Sequence, residues 1–167
     1  MKTLTIVRHA KSSWKTAGLA DRERPLNNRG EQDAPLMGAV LAGSEVRPSL
    51  LISSPAVRAW TTARLIAAEI GYPREFLQRE DDLYLADVGD ILRVLARQDP
   101  GFNSIMMFGH NPGLTSFANR LVPGLTSNVP TCGIVAVELN TDDWNLDPLP
   151  ECRLLFYDTP KNHRDKH

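Results

Sequence analysis

The apolar positions of this chain come as short runs and as turn-spaced stripes, and the two alternate along its length. Leu4 to Val7 is a short run rich in β-branched residues, which reads as a strand. Polar residues follow from Lys11 to about Asn28. A helical stripe then carries Ala34, Met37, Val40 and Leu41 near one face, with Pro35 inside it, where it should mark the helix start or kink it. Leu50-Leu51-Ile52-Ser53 reads as the second strand. After it, Ser54 suits an N-cap, Pro55 the first helical position and Gly71 the C-terminal stop, and Thr62, Leu65, Ile66 and Ile70 form the stripe between. Phe76 to Gln78 predicts a third strand, and Val88, Ile91, Leu92 and Leu95 another amphipathic helix. Ser104 to Phe108 lacks alternation, as in a strand buried on both faces, and runs into Gly109-His110. Asn111 can cap and Pro112 can start a helix carrying Leu114, Phe117, Ala118 and Leu121. Gly133 to Leu139 and Arg153 to Tyr157 are two last strands. A polar tail over 161–167 is expected to fray.

Strands that alternate with helices predict an α/β fold, a three-layer α/β/α sandwich with a mostly parallel central sheet. One domain over 1–160 accounts for the pattern, with no internal repeat and no linker. In such sheets ligands bind outside the carboxyl ends of the strands, so the candidate chemistry is sought there.

Composition changes this picture little. The 167 residues suit a single domain, and 42% hydrophobic with 23% charged residues is ordinary for a globular chain. The net charge of -1 provides no long-range field toward nucleic acid or an anionic membrane, so an anionic substrate has to be caught by local charges. Cys132 and Cys152 each open a late strand. Paired antiparallel, these strands would hold the two thiols at opposite ends, and the spacing fits no zinc site, so both are expected to be reduced. The N-terminal apolar run ends too soon, at Arg8, for a signal peptide, and no run reaches membrane-spanning length. A cytoplasmic location is the expectation.

Three strand ends carry chemistry. The first delivers Arg8 and His9, the second leads through Ser53-Ser54-Pro55 to Arg58, and the fourth delivers His110. A parallel sheet would gather them on one rim, two imidazoles and two guanidiniums with no obligatory carboxylate beside them. That set suits phosphoryl transfer, where catalysis is mostly positioning and electrostatic stabilisation. Arginine meets phosphate with paired donors and stays charged. A neutral histidine has a ring lone pair that can attack phosphorus while its other nitrogen is held as N–H, usually by a backbone carbonyl. The helix after His110 adds unpaired N–H groups and the positive end of its dipole. No Gly-rich turn follows the first strand, which disfavours a Rossmann-type nucleotide binder. His163 and His167 lie in the tail and are given no role. Trp14, Trp60 and Trp144 are expected to pack.

These residues resemble the histidine phosphatase superfamily. Its Arg-His-Gly hallmark at the end of the first strand is met by Arg8-His9-Ala10, with Ala10 a departure that some smaller members share. Ser53-Ser54-Pro55-Ala56-Val57-Arg58-Ala59-Trp60-Thr61-Thr62-Ala63 and Gly109-His110-Asn111-Pro112 match two further patterns, in order, over about Lys2 to Pro160. The short length, with Arg24-Pro25-Leu26-Asn27-Asn28-Arg29-Gly30 and Leu83-Tyr84, is similar to the SixA group of phosphohistidine phosphatases. The resemblance implies a phosphoglycerate mutase-like fold, His9 as nucleophile, and a phosphate pocket of Arg8, Arg58 and His110, with Ser12 also within reach of the phosphate. Larger members use an acidic proton donor from a stretch that here holds Glu80, Asp81 and Asp82, and Asp82 is the candidate. Lys11 and Lys15 could line the mouth of the site, although solvated lysines are the simpler reading.

The implied activity is dephosphorylation of phosphohistidine in a protein through a covalent phosphohistidine intermediate. The competing readings are a phosphatase or mutase for a small phosphate ester, such as a sugar phosphate or nucleotide, and a non-catalytic phosphate-binding module on the same fold. No cofactor and no metal are expected, since two histidines among arginines make a poor cation site.

Overall fold

A computed structural model describes residues 1–164. Six strands form one sheet: β1 (Lys2–Arg8), β2 (Leu50–Ser53), β3 (Gln78–Arg79), β4 (Ser104–Gly109), β5 (Ile134–Leu139) and β6 (Cys152–Asp158). Their order is β3-β2-β4-β1-β5-β6. The first four strands run parallel, and β5 and β6 add an antiparallel edge. Four helices cover it: α1 (Asn28–Ala42), α2 (Val57–Ile70), α3 (Val88–Ala96) and α4 (Gly113–Leu121).

Alternation along the strands sets the layers. Leu4, Ile6, Leu50, Ile52, Ile105 and Met107 pack with Ile91, Val94 and Leu95 of α3 and Leu114, Phe117 and Leu121 of α4. The intervening Val7, Leu51, Met106 and Phe108 pack with Ala34, Met37 and Leu41 of α1 and Ala63 and Ile66 of α2. Every apolar side chain of β4 is therefore buried on one face or the other, and each such side chain contributes about 1.5–3 kcal/mol by leaving water. This is the three-layer α/β/α sandwich with a mostly parallel sheet that the pattern predicts.

Several boundaries differ from expectation. α1 starts at Asn28, seven residues before Pro35, because the Asn27 side chain accepts from the Gly30 N–H and caps it there (2.9 Å). Pro35 thus lies inside the helix, and Glu31 loses its i+4 donor. α2 starts at Val57 with Ala56 as N-cap, so Ser54 and Pro55 lie outside the helix. Gly71 stops it as expected, in the left-handed conformation at φ 74°. Of the strand expected over Phe76 to Gln78, only Gln78 is in a strand. A 3-10 turn over Arg74–Phe76 displaces β3 to Gln78–Arg79. Pro112 is the N-cap position of α4, which begins at Gly113, and Asn111 accepts from the Thr115 N–H with its side chain (3.1 Å).

Of the expected tail, residues 161–164 are described and are held by contacts, while 165–167 lie outside the described residues. A 3-10 turn covers Pro160–Asn162, His163 meets Asp158 (2.7 Å), and Arg164 forms a two-pronged pair with buried Asp33 of α1. His167 lies outside the described residues. β5 and β6 pair antiparallel with Leu139 opposite Cys152, so Cys132, just before β5, lies at the other end. Both thiols are free, and burial pushes the Cys132 thiol well up. Trp144 is buried and donates to the Phe102 carbonyl (2.8 Å), and Trp60 lies half-buried beneath the Arg79 guanidinium. Trp14 does not pack in the core: it is 78% exposed and stacks on Arg24 (3.6 Å). Among the described residues, no helix is long and apolar enough to cross a membrane, and no group of three His, Cys, Asp or Glu could hold a metal ion.

Candidate active site

The parallel register brings the expected residues together. Arg8 pairs with Gly109 across β1 and β4, the His9 N–H donates to the Gly109 carbonyl (3.1 Å), and the Ser54 N–H donates to the Phe108 carbonyl (3.1 Å). β1, β2 and β4 therefore end on one rim, where Arg8, His9, Arg58 and His110 line a cleft of about 470 Å³. The loop before β5 clamps the first strand end. The Arg8 guanidinium donates to the Val129 carbonyl (3.0 Å), and the Cys132 N–H is shared by the Arg8 and His9 carbonyls.

The His9 Nδ1–H donates to the Ala10 carbonyl (2.7 Å), which leaves the lone pair of the neutral ring on Nε2. A carbonyl serves here, so alanine in place of glycine changes nothing at this contact. The peptide is itself anchored: the Ala10 N–H donates to Thr62 Oγ1 (2.9 Å), and that hydroxyl donates to the Arg58 carbonyl (2.7 Å). Thr62, expected in an apolar stripe, is thus a buried polar link between α2 and the His9 turn.

The two imidazoles lie 5.2 Å apart between ring centroids. Burial is the largest cause lowering both, His9 from 6.5 to about 4 and His110 from 6.5 to about 3, and the Arg58 and Arg8 charges add to it. Both rings are therefore neutral at pH 7. In an NMR titration of the free protein, the His9 and His110 ring signals should move with midpoints near these low values, and midpoints near 6.5 would contradict the arrangement. The sign for stability follows. The unfolded chain takes up protons below about 6.5 while the folded rings resist, so these histidines cost no stability above 6.5 and destabilise progressively as the pH falls toward 4.

His110 Nε2 meets Ser54 Oγ (2.7 Å), and the same oxygen accepts the Ala56 N–H (3.2 Å). With that hydroxyl donating to Nε2, the proton of neutral His110 sits on Nδ1, which is buried and has no partner. Ser54 therefore orients His110 rather than capping a helix. Ser54→Ala should lower turnover about 10-fold, the worth of one good hydrogen bond, and Ser54→Thr should recover most of it. Unchanged turnover in Ser54→Ala would sink this role.

Arg8 Nε and Arg58 Nε share that condition, buried donors without a partner. Three unpaired donors on residues around His9 are costly unless an anion occupies the site.

A carboxylate that the sequence reading did not include sits beside the arginines. Asp21 accepts from Arg58 with its carbonyl (2.7 Å) and its carboxylate (3.0 Å), and from Arg24 (3.0 Å) and Tyr84 (2.5 Å). The Tyr84 hydroxyl first, with Arg24 and Arg58, holds the Asp21 carboxyl well below the usual carboxylate range. Arg24 also donates to Ser12 Oγ (2.6 Å), so Ser12 lines the cleft already engaged. Asp21 opens a short 3-10 turn over Asp21–Glu23 and Arg24 follows it, in a stretch with no apolar periodicity. The Arg24-Pro25-Leu26 run was their only signal. Lys11 lines the cleft and Lys15 does not.

The structure does not bring Asp82 to the cleft. It is exposed and paired with Arg97, which also holds Glu80. Among the described residues Asp21 is thus the only carboxylate lining the cleft, and it is held ionised.

Comparison with known proteins agrees with this geometry. The sequence model of the histidine phosphatase superfamily (branch 1) matches residues 4–91. An uncharacterized protein of Mycobacterium tuberculosis is 31% identical over 159 residues, covering 89% of this chain and 96% of the relative. The chain belongs to the histidine phosphatase superfamily. A solved structure described as a putative phosphohistidine phosphatase SixA from Agrobacterium tumefaciens superposes with a TM-score of 0.81 at 25% identity, covering 95% of this chain and 98% of the other. A 2,3-bisphosphoglycerate-dependent phosphoglycerate mutase of Rhizobium johnstonii is 33% identical over 91 residues, covering 53% of this chain and 43% of the mutase. The fold is phosphoglycerate mutase-like, and family membership points to phosphatase or mutase chemistry.

Proposed function

We propose that the protein is a phosphatase that carries the phosphoryl group on His9 and acts by preference on phosphohistidine in another protein. One observation carries the phosphoryl part: the buried, unpartnered donors of Arg8, Arg58 and His110 lie on residues lining one cleft with the neutral ring of His9. In the first step His9 Nε2 forms a bond to phosphorus as the bond to the leaving group breaks in line. Arg8, Arg58 and His110 Nδ1–H hold the three equatorial oxygens, where charge accumulates. In the second step water attacks phosphorus, the bond to Nε2 breaks, and inorganic phosphate leaves with His9 restored.

Two features favour phosphohistidine. Among the described residues no cleft carboxyl is available to protonate a leaving alkoxide, since Asp21 is held ionised and Asp82 faces Arg97. A phosphorylated imidazole protonated on its own second nitrogen leaves as a neutral ring and needs no such donor. The cleft mouth is also open and partly apolar, with Trp14 78% and Leu85 55% exposed, which suits a substrate side chain presented by a bulky partner. The alternative, a small phosphate ester, is supported by the resemblance to the mutase over 91 residues. A kinetic panel of a phosphohistidine peptide against sugar phosphates and nucleotides tests the preference. A kcat/KM at least about 10-fold higher for the peptide is expected, equivalent to about 1.4 kcal/mol of extra transition-state stabilisation. Preference for a small ester would overturn the substrate assignment and leave the His9 chemistry standing.

A further inference from the structure

Beside the cleft lies a second cavity of about 400 Å³, lined by Lys11, Arg29, Lys161 and Arg164. Among the described residues no carboxylate lines it. Asp33, buried behind it, is engaged by Arg164, while Lys11, Arg29 and Lys161 have no acidic partner among the described residues. Lys11, Arg29 and Lys161 are exposed, and together with Arg164 they gather positive charge around one small open cavity, which favours the approach of an anion.

The backbone of the cavity walls is fixed, although its lysines and Arg29 are exposed. The first turn of α1 docks directly on the backbone of Lys11: the Asn27 N–H donates to the Lys11 carbonyl (3.0 Å), and a Cβ on Gly30 would come within 2.2 Å of that oxygen. Glycine at 30 therefore allows the close approach that sets Arg29 beside Lys11. The opposite wall is tied to the same helix through the pair of Arg164 with Asp33. Lys11 and Thr131 line both this cavity and the catalytic cleft, so the two are neighbours with a shared wall.

We propose that this cavity is a second anion site, which takes a carboxylate or phosphate carried by the same substrate molecule whose phosphoryl group meets His9. The inference rests on reading the cleft as the phosphoryl site. The second anion can belong to an acidic residue flanking a phosphorylated side chain, or to a second anionic group on a small phosphate ester.

The test uses the double variant Arg29→Gln/Lys161→Gln, which leaves Lys11 and every cleft residue in place. Inorganic phosphate is titrated into the wild-type protein and the variant, followed by backbone amide NMR. Two groups of amides should respond in the wild type, one around His9 and one around Arg29, Thr159 and Lys161. In the variant the second group should bind about 5-fold or more weakly and the first should change less than about 2-fold, because screened rim charges act locally. Amides of the second group that stay still in the wild type would overturn the proposal. This arm reads binding whether or not His9 chemistry proceeds. The kinetic arm compares substrate pairs: phosphohistidine peptides with Glu or Gln as neighbours, and phosphate esters with or without a second phosphate. The variant should lose about 10-fold in kcat/KM, mainly through KM, on the anionic member of one pair, and less than about 2-fold on its neutral member. The pair that responds identifies the source of the anion. Equal losses on both members, or none, would contradict the proposal, whereas absence of turnover on all four substrates would count against the phosphatase reading instead.

Discussion

Replacing His9 with alanine is expected to lower phosphatase turnover by about 10⁴-fold or more, the scale on which enzymes lose rate when a covalent nucleophile is removed. The ring is the one group in the cleft with a free lone pair aimed by a fixed tautomer, since Nδ1–H is committed to the Ala10 carbonyl. Without it, only direct attack by water on a phosphoryl group held by Arg8, Arg58 and His110 remains. Binding of inorganic phosphate should survive within about 10-fold, because those donors are untouched and hydrogen bonds to charged groups contribute most of the affinity. Steady-state kinetics and phosphate titration on the same preparation check both halves. Near-normal turnover in His9→Ala would remove His9 from the mechanism.

Replacing Arg58 with methionine is expected to cost about 10³-fold in kcat/KM, within the range for removing a guanidinium that stabilises phosphoryl-transfer charge. Arg58 is only 3% exposed, and two of its nitrogens are fixed on Asp21 while Nε has no partner. The side chain thus does two things at once. In the proposed mechanism it supplies charge to the phosphoryl group, and in the structure it ties down Asp21, whose carboxylate also holds Arg24 and Tyr84. Arg58→Lys separates the two: an ammonium keeps the charge but cannot make the forked contact, and it should recover less than about a tenth of the lost activity. Full recovery by lysine would show that charge alone matters and would contradict the positioning role of Asp21.

The gathering of Arg8, His9 and His110 at one cleft is legible in the sequence because chain order and sheet topology carry it. Arg8, His9 and His110 each end an apolar run, and parallel strands bring such ends to one rim. The tautomer of His9 could also be anticipated, since a residue leaving a strand has backbone carbonyls in reach. Asp21 and Arg24 were not legible in this way. They sit at the start and just past the end of a short 3-10 turn with no apolar period, and the partners of Asp21, Arg58 and Tyr84, lie 37 and 63 residues away. Ser54 and Thr62 were given local jobs, a cap and a stripe position, because sequence spacing reports neighbours along the chain. Their actual partners are His110, 56 residues away, and Ala10, 52 residues away. Asp82 is the reverse case: the sequence offers it as a proton donor, but Arg97 at the adjoining α3 terminus captures its carboxylate away from the cleft. The misplaced third strand has a similar origin, in that a 3-10 turn through Arg74–Phe76 displaces the pairing residues.

The most direct test of the account is to trap the phosphorylated protein and map the modified residue. The protein is mixed with a phosphohistidine peptide and, separately, with small phosphate esters, quenched within a turnover, and digested for mass spectrometry at alkaline pH, where a phosphoramidate survives. The account predicts one acid-labile phosphoryl group on the peptide containing His9, absent from His9→Ala. A phosphoryl group on any other residue, or steady turnover with no phosphoprotein in a quench that recovers a phosphohistidine standard, would contradict it.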